Sequence, residues 1–274
     1  MSTQPHLRRG DASPLIGSRS TRQLDGVEMQ LGWLKRFSIS AGLYRPVRRL
    51  HRAVFRSQSV KFQADVNFYS QFVGPGDLCF DIGANIGANS EALLALGATV
   101  VSAEPQPDLA REVVARCSHY REKSIVLQIA VGDSPGELTL HLRESTGQAS
   151  LISDWQGMPK GAIRVQVTTL DKLIAQYGSP KFCKIDVEGY EPNVLKGLST
   201  KIPTVTFEYH VDDRGAAQLR ECLSLLGRHG PFKINATPED GNSLLFHDWL
   251  DSDEFLSQFP ECVRPNHYGD IVVR

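Results

Sequence analysis

Cysteine is scarce in this chain and poorly placed for structural work. Five occur among 274 residues, Cys79, Cys117, Cys183, Cys222 and Cys262; the number is odd and no two form a C-x-x-C pair. That pattern excludes a zinc-binding scaffold and a disulfide framework. Cys79 and Cys183 lie inside apolar runs, where a thiol behaves as a small buried hydrophobe. No apolar run approaches the ~18–20 residues of a membrane-spanning helix. The basic N-terminus has no continuous hydrophobic stretch behind it, which speaks against a secretory signal. These absences read as a cytoplasmic protein in a reducing compartment. Net charge is also almost lacking, at −1, yet the balance is uneven. Residues 1–60 hold eleven Lys or Arg against three acids, so the remainder carries 19 against 28. An acidic body argues against nucleic acid as a partner. Internal repeats and heptad arrays are missing as well.

What is present is ordinary for a globular enzyme-sized chain: 41% hydrophobic and 22% charged residues, enough to bury a core without a covalent staple. Residues 1–30, rich in Ser, Gly, Pro, Gln and Arg, read as a disordered basic tail. Residues 31–57 read as a basic amphipathic helical segment, with Leu43, Val47, Leu50 and Val54 on one face and arginines on the rest. Its basic face is either solvated, the reading favoured because Pro46 interrupts the pattern, or a peripheral contact for anionic lipid or an acidic partner. Residues 58–274 form the remaining domain. There the expected strands are Leu78–Ile82, Thr99–Glu104, Ile125–Val131, Phe182–Val187, Thr204–Tyr209, Phe232–Asn235 and Asp270–Val273. Helices are expected over Asn89–Leu96, Pro107–Cys117, Leu170–Tyr177, Glu191–Leu198 and Gly215–Leu226. This alternation predicts an α/β fold, Rossmann-like, with a seven-stranded, mostly parallel sheet and helices on both faces. An insertion over residues 132–169 holds two runs, Glu137–Leu142 and Ile163–Val167, that read as extra strands or an edge hairpin around a long loop. No crossover helix of ordinary length is expected between the last two strands.

The run DLCFDIGANIGANSEALLALG carries the first functional signal. A strand enters a glycine-rich turn, Gly83 to Gly87, that opens a helix; such glycines let the backbone turn sharply and a ligand approach it. Asp81 ends the strand, and Glu104 ends the next, where an acid accepts hydrogen bonds from two ribose hydroxyls. The glycine spacing is G-x-x-x-G, unlike the G-x-G-x-x-G that makes room for a pyrophosphate. A nucleoside lacking phosphate fits better.

DIGANIG followed by AEP resembles the first two motifs of class I S-adenosylmethionine-dependent methyltransferases. KIDVEGYEPNVLKGL resembles the hallmark of their FkbM-type family, and AVGDSPGELTL, VTTLDKL and the terminal YGDIVVR extend the likeness over about residues 60–274. The resemblance implies a class I methyltransferase fold and S-adenosyl-L-methionine as donor. It also implies a hydroxyl acceptor on a sugar or other small molecule. By it, Asp81, Gly83, Asn85 and Gly87 belong to the loop holding the methionine part, Glu104 to the ribose and Asp133 to the surroundings of the adenine.

The fourth main strand, FCKIDVEGYE, brings Lys184, Asp186 and Glu188 to one face, because strand side chains alternate. Charges there are costly unless paired, so the trio is either a structural network or part of the reaction centre; its place beside the expected cofactor crevice favours the second. Methylation of a hydroxyl requires a proton acceptor within hydrogen-bond reach. Asp186, Glu188 and His210 qualify, with Glu208 on the strand face of His210 placed to orient it. A divalent cation on Asp186 and Glu188 is the less favoured reading, for want of a third ligand. Two alternatives stay open: a nucleotide-binding oxidoreductase and an inactive S-adenosylmethionine-binding protein. Oligomeric state and acceptor identity are not written in the sequence. Deletion of residues 1–30 should leave the melting temperature within about a few degrees, as polar, uncharted tails add little burial; a larger fall in thermal unfolding experiments would show an ordered segment.

Overall fold

The computed structural model describes residues 59–274, apart from 144–148, 154, 156–157, 212, 239–240, 242 and 265–266. The expectations for residues 1–57 lie outside these. Ser59–Arg274 is one compact unit.

The described chain opens in helix α1 (59–69). There follow β1 (Leu78–Ile82), α2 (Ala88–Ala95), β2 (Thr99–Ala103), α3 (Pro107–Arg116) and β3 (Ser124–Leu127). After β4 (Ala130–Val131), β5 (Gly136–Leu142) and β6 (Gly161–Thr168) come α4 (Leu170–Tyr177), β7 (Phe182–Ile185) and α5 (Glu191–Lys196). The chain closes with β8 (Thr204–His210), α6 (Asp213–Gly227), β9 (Ile234–Ala236), α7 (Ser252–Cys262) and β10 (Tyr268–Val273). Seven strands form one sheet in the order β3-β2-β1-β7-β8-β10-β9. The first five are parallel, and β10 runs antiparallel between β8 and β9.

Alternation along the strands explains the layers. Phe80 and Ile82 of β1 point into one core with α4, α5, α6 and α7, whereas Cys79 points into a second with α1, α2 and α3. Val272 of β10 likewise joins the second core while Ile271 and Val273 join the first. Helices therefore cover both faces, and a parallel sheet so covered is apolar almost throughout.

Three expectations need correction. The third strand was to run through Val131; instead it leaves the main sheet at Leu127, and Ala130–Val131 pairs in parallel with β6. The insertion forms its own three-stranded sheet, β4-β6-β5, around Leu140, Val165 and Val167. The fourth strand was to reach Val187 but ends at Ile185, and Glu188 adopts a φ of 53° in the turn beyond it. Finally, the last two strands are joined through an eleven-residue helix, α7. Pro260 hides it in the sequence, yet that proline falls in the last turn, where only one internal hydrogen bond is lost. Phe255 and Phe259, one turn apart, stack at 4.8 Å between ring centres and are buried in the core. Phe255→Ala should cost about 3–5 kcal/mol in chemical denaturation, the usual cost of deleting a fully buried phenyl ring; a loss near zero would mean α7 is not packed on the sheet.

Candidate active site

The strand order reverses between β1 and β7, because the chain moves outward from β1 to β3 and returns at β7. Open α/β sheets bind ligands at such a point, beyond the carboxyl ends of the strands. A cleft lies there, walled by Gly83, Asn85, Glu104, Asp186, Glu188 and Glu208 on its polar side. Leu109, Ile129, Val131, Leu140 and Leu151 supply its apolar side.

The turn after β1 is folded over the end of β2. Gly83 and Ala84 both donate to the Ala103 carbonyl, at 2.9 and 3.1 Å. Gly83 has a φ of 81°, and a Cβ on it would lie 1.8 Å from the Asp186 carbonyl oxygen, so backbone meets backbone and no side chain fits. Asn85, itself at φ 51°, turns its N–H onto Glu104 Oε2 at 2.9 Å, while Gln106 N–H donates to Oε1 at 2.8 Å. Glu104 is 3% exposed, and burial pushes its carboxyl up to about 7 in spite of these two donors. Each oxygen holds one backbone donor and retains capacity for another.

Asp81 is placed differently. Its alternation turns it beneath α2, where Oδ2 accepts from Ser90 Oγ at 2.5 Å and Ser90 meets Ser102 at 2.7 Å. Asp81 is fully buried, which raises it to about 6, and its Oδ1 has no partner among the described residues. It is not a wall of the cleft, and neither is Gly87, the left-handed residue that caps α2 at φ 80°. Asp133 is exposed just beyond β4, near the surface hydroxyl of Ser134, and also lies outside the cleft wall.

Across the cleft the carboxylates converge. Lys184 is buried on β7 and donates to Asp270 on β10 at 2.6 Å and to Asp186 at 3.2 Å. The two negative charges hold its ammonium well above the ordinary lysine value against the opposing effect of burial. The expected common strand face of Lys184, Asp186 and Glu188 does not form: β7 ends at Ile185, and Glu188 arrives from the turn beyond it. Trp155, from the insertion, fixes it: Trp155 Nε1 donates to Glu188 Oε2 at 3.0 Å, and the ring lies so close to Gly189 that a Cβ there would sit 2.4 Å away. Ser150 Oγ donates to the Glu188 carbonyl at 2.7 Å. Burial raises the Glu188 carboxyl, and burial together with Asp186 and Glu188 raises Glu208 well above its ordinary value. His210 Nε2 stands 3.1 Å from Glu208 Oε2 and its ring meets Trp155 edge-on at 5.3 Å. Glu188, Glu208 and His210 each offer a ligand atom within 4.8 Å of the others. A third oxygen- or nitrogen-bearing neighbour for a cation is thus present, contrary to the sequence expectation, with Glu208 and His210 standing where Asp186 was expected.

A second, polar cavity adjoins the first and shares Asp186 and Glu208 with it; Tyr69, Asn89, Lys184 and Tyr268 are among its walls. Sequence reasoning missed Trp155, whose sole signal was a large aromatic residue in a polar loop. It also missed Glu191, a fully buried acid raised to about 8 by burial, which accepts the N–H groups of Val187 and Gly189 and thereby holds the turn that carries Glu188.

Comparison with known proteins places this geometry. The family described as the methyltransferase FkbM domain matches residues 81–233, more than half of the chain. The chain belongs to that family. The match begins at Asp81 and contains the glycine turn, Glu104 and the whole acidic cluster through His210. The FkbM-family chain adopts the class I Rossmann-like methyltransferase fold expected of it, with an antiparallel strand inserted near one edge of a parallel sheet. It is 24% identical over 133 residues to the hexuronic acid methyltransferase AglP of Haloferax volcanii, a stretch covering 48% of this chain and 54% of that protein. The chain therefore matches about half the length of that relative. Among solved structures it is similar to a precorrin-6Y C5,15-methyltransferase of Geobacter metallireducens, at a TM-score of 0.41 and 10% identity over 79% of this chain and 86% of that one. It is similar also to an O-methyltransferase of Bacillus cereus, at 0.38 and 13%, with 80% of each chain covered. Among the described residues, no helix is long and apolar enough to cross a membrane.

Proposed function

We propose that this FkbM-family chain transfers a methyl group from S-adenosylmethionine to a hydroxyl of a sugar or other small molecule. The observation that carries the reading is Glu104: a buried carboxylate at the end of β2, held by two backbone N–H groups and presented to a cleft that also has an apolar side. Two vicinal hydroxyls donate naturally to such a carboxylate, and Leu109, Ile129 and Val131 suit a flat nucleobase. Gly83 leaves the backbone open to close approach. Bound there, S-adenosylmethionine supplies a methyl group on a positively charged sulfur that leaves as a neutral thioether.

The chain's own residues handle the acceptor. Asp186 borders both cavities, with one oxygen steadied by Lys184, and is the proton acceptor we assign for the hydroxyl. Holding the hydroxyl oxygen in line with the methyl supplies the rest, since orientation alone is worth several kcal/mol. Likeness to a hexuronic acid methyltransferase supports a sugar acceptor.

The cofactor arm is tested by calorimetry with S-adenosylhomocysteine. Glu104 titrates near 7 in the free protein. Ribose hydroxyls bind its ionised form better, so ligand lowers that value and takes up no proton at high pH. Affinity should therefore weaken as pH falls from about 8 to 6, approaching tenfold per unit at the acid end. Glu104→Gln should bind more weakly throughout and lose this dependence. Tight binding of NAD with none of S-adenosylhomocysteine would overturn the reading. For the acceptor arm, Asp186→Asn keeps the shape of the side chain and removes its basicity. Turnover on a methylated acceptor should fall by ~10²–10⁴-fold with S-adenosylhomocysteine affinity nearly kept; unchanged turnover would exclude Asp186 as the proton acceptor.

A further inference from the structure

We propose that Glu188, Glu208 and His210 form a binding site for one divalent cation of the Mn²⁺ type, opening onto the cleft. Three ligand atoms within 4.8 Å of one another can surround a single ion. Bonds of about 2.0–2.2 Å would need only small side-chain rotations to close the set. Two carboxylates with one imidazole suit a hard, oxygen-preferring cation such as Mn²⁺ better than a thiolate-seeking metal.

Three further features point the same way. The first is the charge balance. Three carboxylates, Asp186, Glu188 and Glu208, crowd one side of the cleft. Lys184 is the buried cation beside them, and its ammonium is engaged by Asp270 at 2.6 Å and Asp186 at 3.2 Å. Its hydrogen bonds do not extend to Glu188 or Glu208. A divalent ion would relieve the repulsion that remains between those two.

The second feature is orientation. Carboxylates that hold a metal are commonly fixed by a donor on the other oxygen. Trp155 Nε1 does this for Glu188 Oε2. The Glu188 turn is in turn tied down by Ser150 on its carbonyl and by Glu191 on the neighbouring N–H groups. His210 is held by its edge-on contact with Trp155. One tryptophan from the insertion thus steadies two of the three ligands, each on a different segment.

The third is access. Glu188 and Glu208 are walls of the cleft, and Glu208 also borders the second cavity. An ion on them would keep open positions toward the place where a hydroxyl must lie beside Asp186. Coordination to a cation lowers the pKa of a hydroxyl, so Asp186 would receive a proton already loosened. The role in catalysis rests on the methyl-transfer reading above, whereas the binding site does not.

The test uses the full chain, stripped with EDTA and passed into metal-free buffer. Mn²⁺ is titrated in and free ion is followed by electron paramagnetic resonance. One Mn²⁺ should bind per chain. Glu208→Gln and His210→Ala should each weaken it by roughly 10–100-fold or more, and Trp155→Phe, which keeps an aromatic ring but removes the N–H donor, by a smaller factor. Glu122→Gln, at an exposed acid on the segment before β3, should leave it unchanged. S-adenosylhomocysteine titrations on the same samples report whether each variant is folded. Absence of Mn²⁺ binding to a protein that binds S-adenosylhomocysteine would overturn the site. So would equal Mn²⁺ affinity in wild type, Glu208→Gln and His210→Ala. Mn²⁺ binding that these two variants abolish, in a chain that ignores S-adenosylhomocysteine, would support the ion site and sink the cofactor reading instead.

Discussion

One buried ammonium organises the acidic end of this fold. Lys184 is 3% exposed, in the middle strand of the sheet, and bridges Asp270 of the antiparallel strand to Asp186 beyond its own strand. Removing one member of such a set leaves a buried charge without its partner, at a cost of about 3–5 kcal/mol. Asp81 feels the same charge from the neighbouring strand, and so does Tyr69 from α1. Four elements on both sides of the switch point therefore share one cation. The geometry of the cleft follows: Asp186 is held at its rim by Lys184 while its backbone carbonyl presses on Gly83. The glycine turn and the acidic wall are thus positioned by contacts to the same residue.

The sequence was legible where a single local rule decides the outcome. Leu78–Ile82 and Leu170–Tyr177 form over the very residues expected, since an apolar run before glycine makes a buried strand and a Thr169 cap starts a helix. Glu104 reaches the cleft because it follows the last residue of β2, next to β1, where the N–H groups of Asn85 and Gln106 receive its carboxylate. Reading failed where two rules compete. Glycine at 189 and positive φ at 188 end the fourth strand early, against an apolar-charged alternation that runs on through Val187. Pro260 masks the helical Phe255–Phe259 spacing in the sequence, although the packed helix tolerates it in its last turn. Asp81 shows the limit of motif logic. Its position at the strand end suggests a ligand contact, but alternation directs it to the layer under α2, where Ser90, itself bonded to Ser102, donates to it.

The long-range part of the site left no local trace. His210, Glu188 and Trp155 lie on a strand end, a turn and an insertion, and only the fold brings them together. His210 could be suspected from its place at the end of TVTFEYH; the partnership of Trp155 with Glu188 spans 33 positions and could not. The insertion gains meaning from this contact. Its separate small sheet, pinned by Val165 and Val167, carries a loop whose Ser150 and Trp155 brace the turn after β7.

Electrostatics also bears on which ligand the cleft favours. Glu104, Asp186, Glu188 and Glu208 surround one space, and no described basic side chain is among its walls. Such a field in a low-dielectric cleft repels a pyrophosphate, whose two or more negative charges would need backbone donors or arginines to offset it. The same field attracts a ligand with a sulfonium and an ammonium. The G-x-x-x-G turn agrees, because it spends its N–H groups on Ala103 and on Glu104 instead of leaving them for phosphate oxygens. Burial raises Glu104, Glu188 and Glu208 because solvent no longer shields them. A positively charged ligand would stabilise the ionised carboxylates, whereas a dinucleotide would bring further negative charge. The acids that distinguish this cleft from a dehydrogenase crevice are therefore the ones that give its proposed chemistry a physical basis.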